Sequence, residues 1–336
     1  MKNQKKILPM TTNTLIKTYP YNAFYLGILE ANKFEIENIL IKEFFNLFSF
    51  HARKSEHIDF TGSGHVEKNR FITKYDINPR KVTTNYLKQK IEDNYYLMIN
   101  LNEKYLNVPG IDPYKDFCHD WLIYGYNDYD KSFNCCGYIN IVNKGSYFGT
   151  VKVNYNDLIC SINNVPYLFE YSKPRNLKCH SLKINFKNKE NDLSKEVLIR
   201  KLEKFYEPRT FEIYHKVFIH NDINAIKRLI KSFKKRYVDE LSDSKTLIND
   251  EIFLQDFRTL YEHKKVFQVI LKKIKCSEKI INKQEELIRI AYKNLINCFK
   301  YNFNPSNSLS RTIYDTLIYS EINQYNIIKQ VLEENH

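Results

Sequence analysis

From about Leu193 to the C-terminus the apolar residues recur at helical spacing, over 193–207, 221–240, 248–275, 281–303 and 312–334. Breaks fall near Pro208, at Leu241-Ser242-Asp243-Ser244 and at Pro305-Ser306-Asn307-Ser308. Before Leu193 the pattern is mixed. Helical spacing begins at Asn22, returns over Lys33–Phe48, and follows Thr83, an N-cap residue type, as far as Glu92. Strand-like runs cover 94–101, 120–126, 132–141, 149–153, 167–171 and 179–186, with a further helix capped by Asn156 or Asp157. Residues 49–80 read as an irregular connection carrying a short strand near Arg70–Tyr75. The expectation is an α+β domain over residues 1–205 and an all-helical domain over 206–336, divided near Glu207-Pro208-Arg209.

Composition removes several function classes. Only 8 glycines occur, and neither G-x-G-x-x-G nor a phosphate-loop pattern is present, which argues against a dinucleotide or nucleoside-triphosphate domain. Net charge is +13, which favours acidic partners without naming them. Zinc-finger and helix-turn-helix patterns are missing, so nucleic acid is not expected as the partner. The seven cysteines contain no C-x-x-C pair, and the adjacent Cys135-Cys136 lacks a matching pair at zinc spacing, so no metal is expected. No uncharged run reaches the ~20 apolar residues that a spanning helix requires. No integral membrane association and a reducing cytoplasm are the expectations.

The residues that suggest chemistry lie in Cys118-His119-Asp120-Trp121-Leu122-Ile123-Tyr124-Gly125-Tyr126 and the returning Ser132-Phe133-Asn134-Cys135-Cys136. A histidine opens an apolar strand, and Asn134 stands on the neighbouring one. Thiol acyl transfer needs a histidine to take the sulfur's proton and a polar group to orient the imidazole. It also needs a cysteine, ideally at a helix N-terminus, where free amides lower the thiol pKa and stabilise an oxyanion. His119 is the expected base and Asn134 its orienting group. Asp120 should face the other way and support structure. The alternative is that His119 is only a polar strand end.

His119-Asp120-x-Leu122-Ile123-Tyr124-Gly125-Tyr126-x-Asp128 resembles the histidine strand of papain-like proteins related to double-glycine leader peptidases. It is similar, more narrowly, to the butirosin-type acyltransferases and their relatives in nonribosomal peptide clusters. The segment Asp256–Lys265, with Glu262 and His263, resembles a Glu-His-Lys helix in the C-terminal part of some of these proteins. The resemblance implies a papain-like cysteine-protease fold over 1–205, with the catalytic cysteine, histidine and Asp or Asn all inside it. It implies acyl transfer or amide formation on a substrate carried by the phosphopantetheine of an acyl or peptidyl carrier protein. A small amine would be the acceptor, and no intrinsic cofactor is needed.

The implied cysteine is absent. Pro20-Tyr21-Asn22-Ala23-Phe24-Tyr25 has no thiol, and Ala23 stands at the expected position, with Asn22 as helix cap and the amides of Ala23 and Phe24 as the oxyanion site. Either the protein has lost its nucleophile and binds without catalysis, or a cysteine has been replaced by alanine. A third account moves the chemistry to Cys118 or another thiol, and a peptidase is the alternative activity. Glu262 and His263 read as a buried network joining helices or as support for the cleft. His51, His57 and His65 share one connection, and His215 and His220 form no H-E-x-x-H pattern. The basic residues Lys227, Arg228, Lys231, Lys234, Lys235 and Arg236 read as a solvated helix face or as a surface for the carrier.

Overall fold

The structure is a computed structural model that describes residues 4–52, 55–62, 71–109, 111, 116–141, 145–165, 169–170, 173–174, 179–187, 192–205, 207, 211–213, 216–218, 222–239, 251–304 and 306–335. In chain order the elements begin β1 (Lys5–Ile7), α1 (Pro20–Ala31), α2 (Ile36–Phe44), β2 (Leu47–Ala52), β3 (Ser55–Phe60), β4 (Ile72–Asp76), α3 (Thr84–Glu92) and β5 (Tyr96–Asn102). Next come β6 (Cys118–Asn127), β7 (Ser132–Ile141), β8 (Gly145–Asn154), α4 (Tyr155–Asn163), β9 (Phe169–Glu170), β10 (Lys173–Pro174) and β11 (Cys179–Ile184). The chain ends with α5 (Lys195–Lys204), β12 (Phe211–Ile213), β13 (Lys216–Phe218), α6 (Ile223–Phe233), α7 (Glu251–Lys273), α8 (Glu278–Phe303) and α9 (Asn307–Glu333).

The chain forms two compact units: Met1–Ile36 with Gly64–Lys189, and Glu37–Ser63 with Glu190–His336. This differs from the expected division at 205/206. Residues 37–63 leave the first part of the chain and join the second unit, and the C-terminal crossover comes near residue 190. The physical reason is the β2–β3 hairpin, whose backbone and side chains are held by α6 and α7.

In the first unit, one antiparallel sheet runs β4-β11-β5-β6-β7-β8, with β1 added beside the end of β6. Helix α1 starts where Pro20 occupies its first turn, a position that costs no hydrogen bond because that amide has no helical acceptor. Its Gly27 is required by packing: a Cβ there would lie 2.3 Å from the carbonyl oxygen of Thr11, which crosses the helix at that point. Helix α3 starts at the expected cap, with the Thr83 hydroxyl accepting from the Tyr86 amide at 3.2 Å.

Strand alternation divides the sheet's two faces. Phe24 of α1 packs its ring 5.7 Å from Phe148, whose register partner is Tyr138. On the opposite face Tyr155, the first residue of α4, lies 4.6 Å from Phe133, and the ammonium of Lys88 in α3 lies 5.0 Å from the ring of Tyr126, the partner of Phe133. Helix α1 therefore covers one face, and α3 and α4 cover the other. The largest fully buried side chain, Trp121, lies under Gly137, where a Cβ would meet the indole at 2.8 Å.

In the second unit, β2 and β3 pair over Leu47–Ala52 and Ser55–Phe60. The helical periodicity expected to continue to Phe48 stops at Phe44, and the expected irregular connection contains a hairpin. Side chains far along the chain decide this. Asp222, fully buried, accepts from the Leu47 amide at 2.9 Å and from Asn46 Nδ2 at 3.0 and 3.1 Å. Asp256 accepts from the Ile58 amide at 2.9 Å and lies 2.8 Å from His57 Nδ1. The expected all-helical stretch also contains a second small hairpin, β12–β13, in which Phe211 pairs with Phe218 and Ile213 with Lys216. From Glu251 onward the described elements are the helices α7, α8 and α9, with α8 packing against both α7 and α9.

Asp222 also has φ 51° and ψ −118°, a positive-φ conformation outside the left-handed helical well, at the start of α6. Asp222→Ala is expected to cost roughly 3 kcal/mol, because two donors, the Leu47 amide and Asn46 Nδ2, lose their buried acceptor. Urea unfolding checks this, and a loss below about 0.5 kcal/mol would show that the hairpin is held by something else.

Candidate functional site

The β6–β7 hairpin is made by two aromatic and β-branched runs joined through a polar turn in which Lys131 takes φ 49°. Its register decides what His119 can touch. Leu122 pairs with Cys136 and Ile123 with Cys135, and after a bulge Gly125 pairs with Asn134. Continued toward the strand's start, that register sets His119 opposite Ile139. Asn134 lies beside Gly125, six residues and about 20 Å along the strand from His119. It also projects to the other face, the one shared by Cys136 and Tyr138. The expected His119–Asn134 pair is not formed. Asn134 Oδ1 is buried without a hydrogen-bond partner among the described residues.

Residue 23 lies on the wrong side for His119. Trp121 packs against Gly137, which places Trp121 and, two residues earlier, His119 on the α3/α4 face. Phe24 packs against Phe148 on the α1 face. Asp120, between the two, projects toward the α1 face and accepts from Asn100 Nδ2 at 2.5 Å. Ala23 is fully buried, and its amide donates to the Tyr19 carbonyl at 3.1 Å. The expected oxyanion donors, the amides of Ala23 and Phe24, thus fall within the helix, and its ladder leaves Tyr21 and Asn22 outside. Asn22 is not the cap either. Tyr19 holds that position without a side-chain hydrogen bond, and Asn22 is a buried residue of the first turn.

What faces His119 is Glu103. Its carboxylate lies 3.3 Å from His119 Nδ1, and the imidazole sits between the rings of Phe117, at 5.1 Å, and Trp121, at 5.7 Å. Burial holds the imidazole's pKa down to about 4, outweighing the Tyr138 carbonyl that favours the protonated form. His119 is therefore neutral near pH 7. Glu103 escaped the sequence reading because it follows the apolar run Tyr96–Leu101 and looks like the polar start of a loop. In the structure Asn102 Oδ1 accepts from the Lys104 amide at 3.2 Å, starting a short 3₁₀ turn over Glu103–Tyr105, and the Glu103 amide donates to the Phe117 carbonyl at 2.9 Å.

Glu262 and His263 belong to the second unit and are buried in it. His263 Nε2 donates to the Phe45 carbonyl at 2.9 Å, and its ring stacks on Phe45 and Phe205. That geometry is a packing role within α7 and its neighbours. The side chain of His51, and His65, His215 and His220 altogether, lie outside the described residues.

Six of the seven thiols are held protonated by burial rather than activated as nucleophiles. Burial raises the pKa of Cys118, Cys135, Cys136, Cys179, Cys276 and Cys298; the nearby carboxylates of Asp116 and Glu103 raise Cys118 further. No cluster of three or more His, Cys, Asp or Glu side chains able to hold a metal occurs among the described residues. No described helix is long and apolar enough to cross a membrane. Neither the protein-family models nor the curated proteins contain a match to this chain.

Proposed function

We propose that this chain is a partner-binding protein that does not perform cysteine acyl transfer, and that it engages a peptide or a carrier-borne chain without forming a thioester. The observation that carries this reading is the separation of the three expected catalytic positions. Ala23 is buried in the helix covering one face of the sheet, His119 projects to the other, and Asn134 pairs beyond a bulge. A thiol restored at residue 23 would lack a base, since proton transfer needs hydrogen-bond reach or a single intervening water. A general base without its nucleophile leaves His119 as a neutral polar group packed against Glu103. The carrier and peptide classes come from the resemblance of residues 119–128 to the acyltransferase family.

The test is restoration. Ala23→Cys incubated with an acyl-N-acetylcysteamine thioester is expected to show no acyl adduct beyond that of the parent protein by intact-mass measurement. An adduct on residue 23 that disappears in Ala23→Cys/His119→Ala would overturn the reading and return the chain to the acyltransferases.

A further inference from the structure

Helix α6 has one strongly apolar and one strongly basic face. Ala225, Ile226, Leu229 and Phe233 are buried, whereas Lys227, Arg228, Lys231, Lys234 and Lys235 are exposed. The basic positions fall at i, i+1, i+4, i+7 and i+8, so they form one stripe. A π-helical turn, Lys234–Asp239, continues the helix. Phe233 and Tyr237, four residues apart, are both buried with rings 4.9 Å apart, while Lys234 and Lys235 are exposed. The stripe spans about 12 Å, the rise of eight helical residues. Arg228 is paired with Glu56 at 3.1 Å, and Lys227, Lys231 and Lys234 continue the row as exposed ammonium groups.

We infer that this stripe docks an acidic helical surface of a partner protein, one that presents carboxylates a turn apart. The argument is charge complementarity and chemistry. Lysine ammonium groups at one-turn intervals match Glu or Asp repeated at i and i+4 on a second helix, where neighbouring side chains stand ~6 Å apart. Phosphate recognition would favour the planar guanidinium fork, and the stripe's arginine is already engaged by Glu56. Base stacking or lipid insertion would call for an exposed ring or large apolar side chain beside the lysines. Tyr237 and Phe233 are buried instead. The inference goes beyond the proposed function and does not depend on it: acylation at residue 23 and binding at α6 are separate measurements.

The test uses the full chain and a fluorescein-labelled helical peptide with glutamates at i, i+4 and i+8, followed by anisotropy at rising salt. Saturable binding is expected, and it should weaken as salt is added. Lys227→Glu/Lys231→Glu/Lys234→Glu should lose affinity by about tenfold or more, since each exposed pair contributes up to roughly fivefold. The matching Lys→Gln triple variant should lose less. All three substituted side chains are exposed, and an unchanged circular dichroism spectrum confirms folding. Failure of the peptide to bind, or equal binding by the Lys→Glu variant, would overturn the inference. So would tighter, stripe-dependent binding of a single-stranded oligonucleotide or of phosphatidylserine vesicles, which would assign the surface to phosphate.

Discussion

Lys264→Met is expected to destabilise the protein by roughly 3–5 kcal/mol, whereas Lys264→Met/Glu321→Leu should be close to neutral. Lys264 and Glu321 are both buried and lie 2.7 Å apart, joining α7 to α9. Removing one partner leaves a charge in the interior with no counter-ion, and the desolvation that the pair had offset is then uncompensated. Removing both takes away the cost together with the attraction. Beside the pair, Gln284 of α8 donates to the Lys264 carbonyl at 2.9 Å and exchanges amide hydrogen bonds with Gln324 of α9 at 2.9 and 3.0 Å. These polar groups fix which turns of the three helices meet, a registry role for buried polarity. Urea denaturation of both single variants and the double variant gives the coupling energy directly. Additive losses would mean that the two side chains do not depend on one another.

The second large effect is on acid stability. His263 is fully buried, and burial, then the neighbouring Lys264, push its pKa down to about 3, against the Phe45 carbonyl that favours the charged form. Its unfolded value is about 6.5. A depressed pKa means that the unfolded chain binds the proton first. The associated stability is fully present above about pH 6.5 and is lost as pH falls toward 3, with a slope near 1.4 kcal/mol per pH unit in between. From pH 6.5 to 4.5 this group alone should remove about 2–3 kcal/mol. His119, held to about 4 by burial, adds to the same window. His263→Gln keeps a donor for the Phe45 carbonyl and removes the titration. Its stability should fall less steeply with acid than that of the parent. Parallel pH curves for the two proteins would show that His263 is not the group responsible.

The element types were largely legible. Thr83 caps its helix as its residue type suggests, the two aromatic runs around 127–131 form a hairpin, and the long helices after residue 250 follow their periodicity. The hairpin's pairing was legible too. A turn centred near Tyr129 sets His119 against Ile139, so the expectation for Asn134 could have been rejected by counting. The β2–β3 hairpin was not legible. The apolar pattern of Lys33–Phe48 fits a helix throughout. Strand formation from Leu47 depends on Asp222 and Asp256, 175 and 198 residues away from the amides that they bind. Local propensity is a weak prior that such tertiary contacts override.

The candidate site divides in the same way. The sequence by itself determined that α1 carries no thiol, that His119 opens an apolar strand, and that the chain ends in amphipathic helices. Each follows from residue identity or from short-range period. Only the tertiary structure decided that α1 covers the face away from His119 and that Glu103 lies beside its imidazole. Which face a strand residue occupies is set by alternation, but which helix covers that face is set by how the whole sheet is packed. Periodicity gives the direction of a side chain relative to its own strand, and it carries no information about what waits on that side.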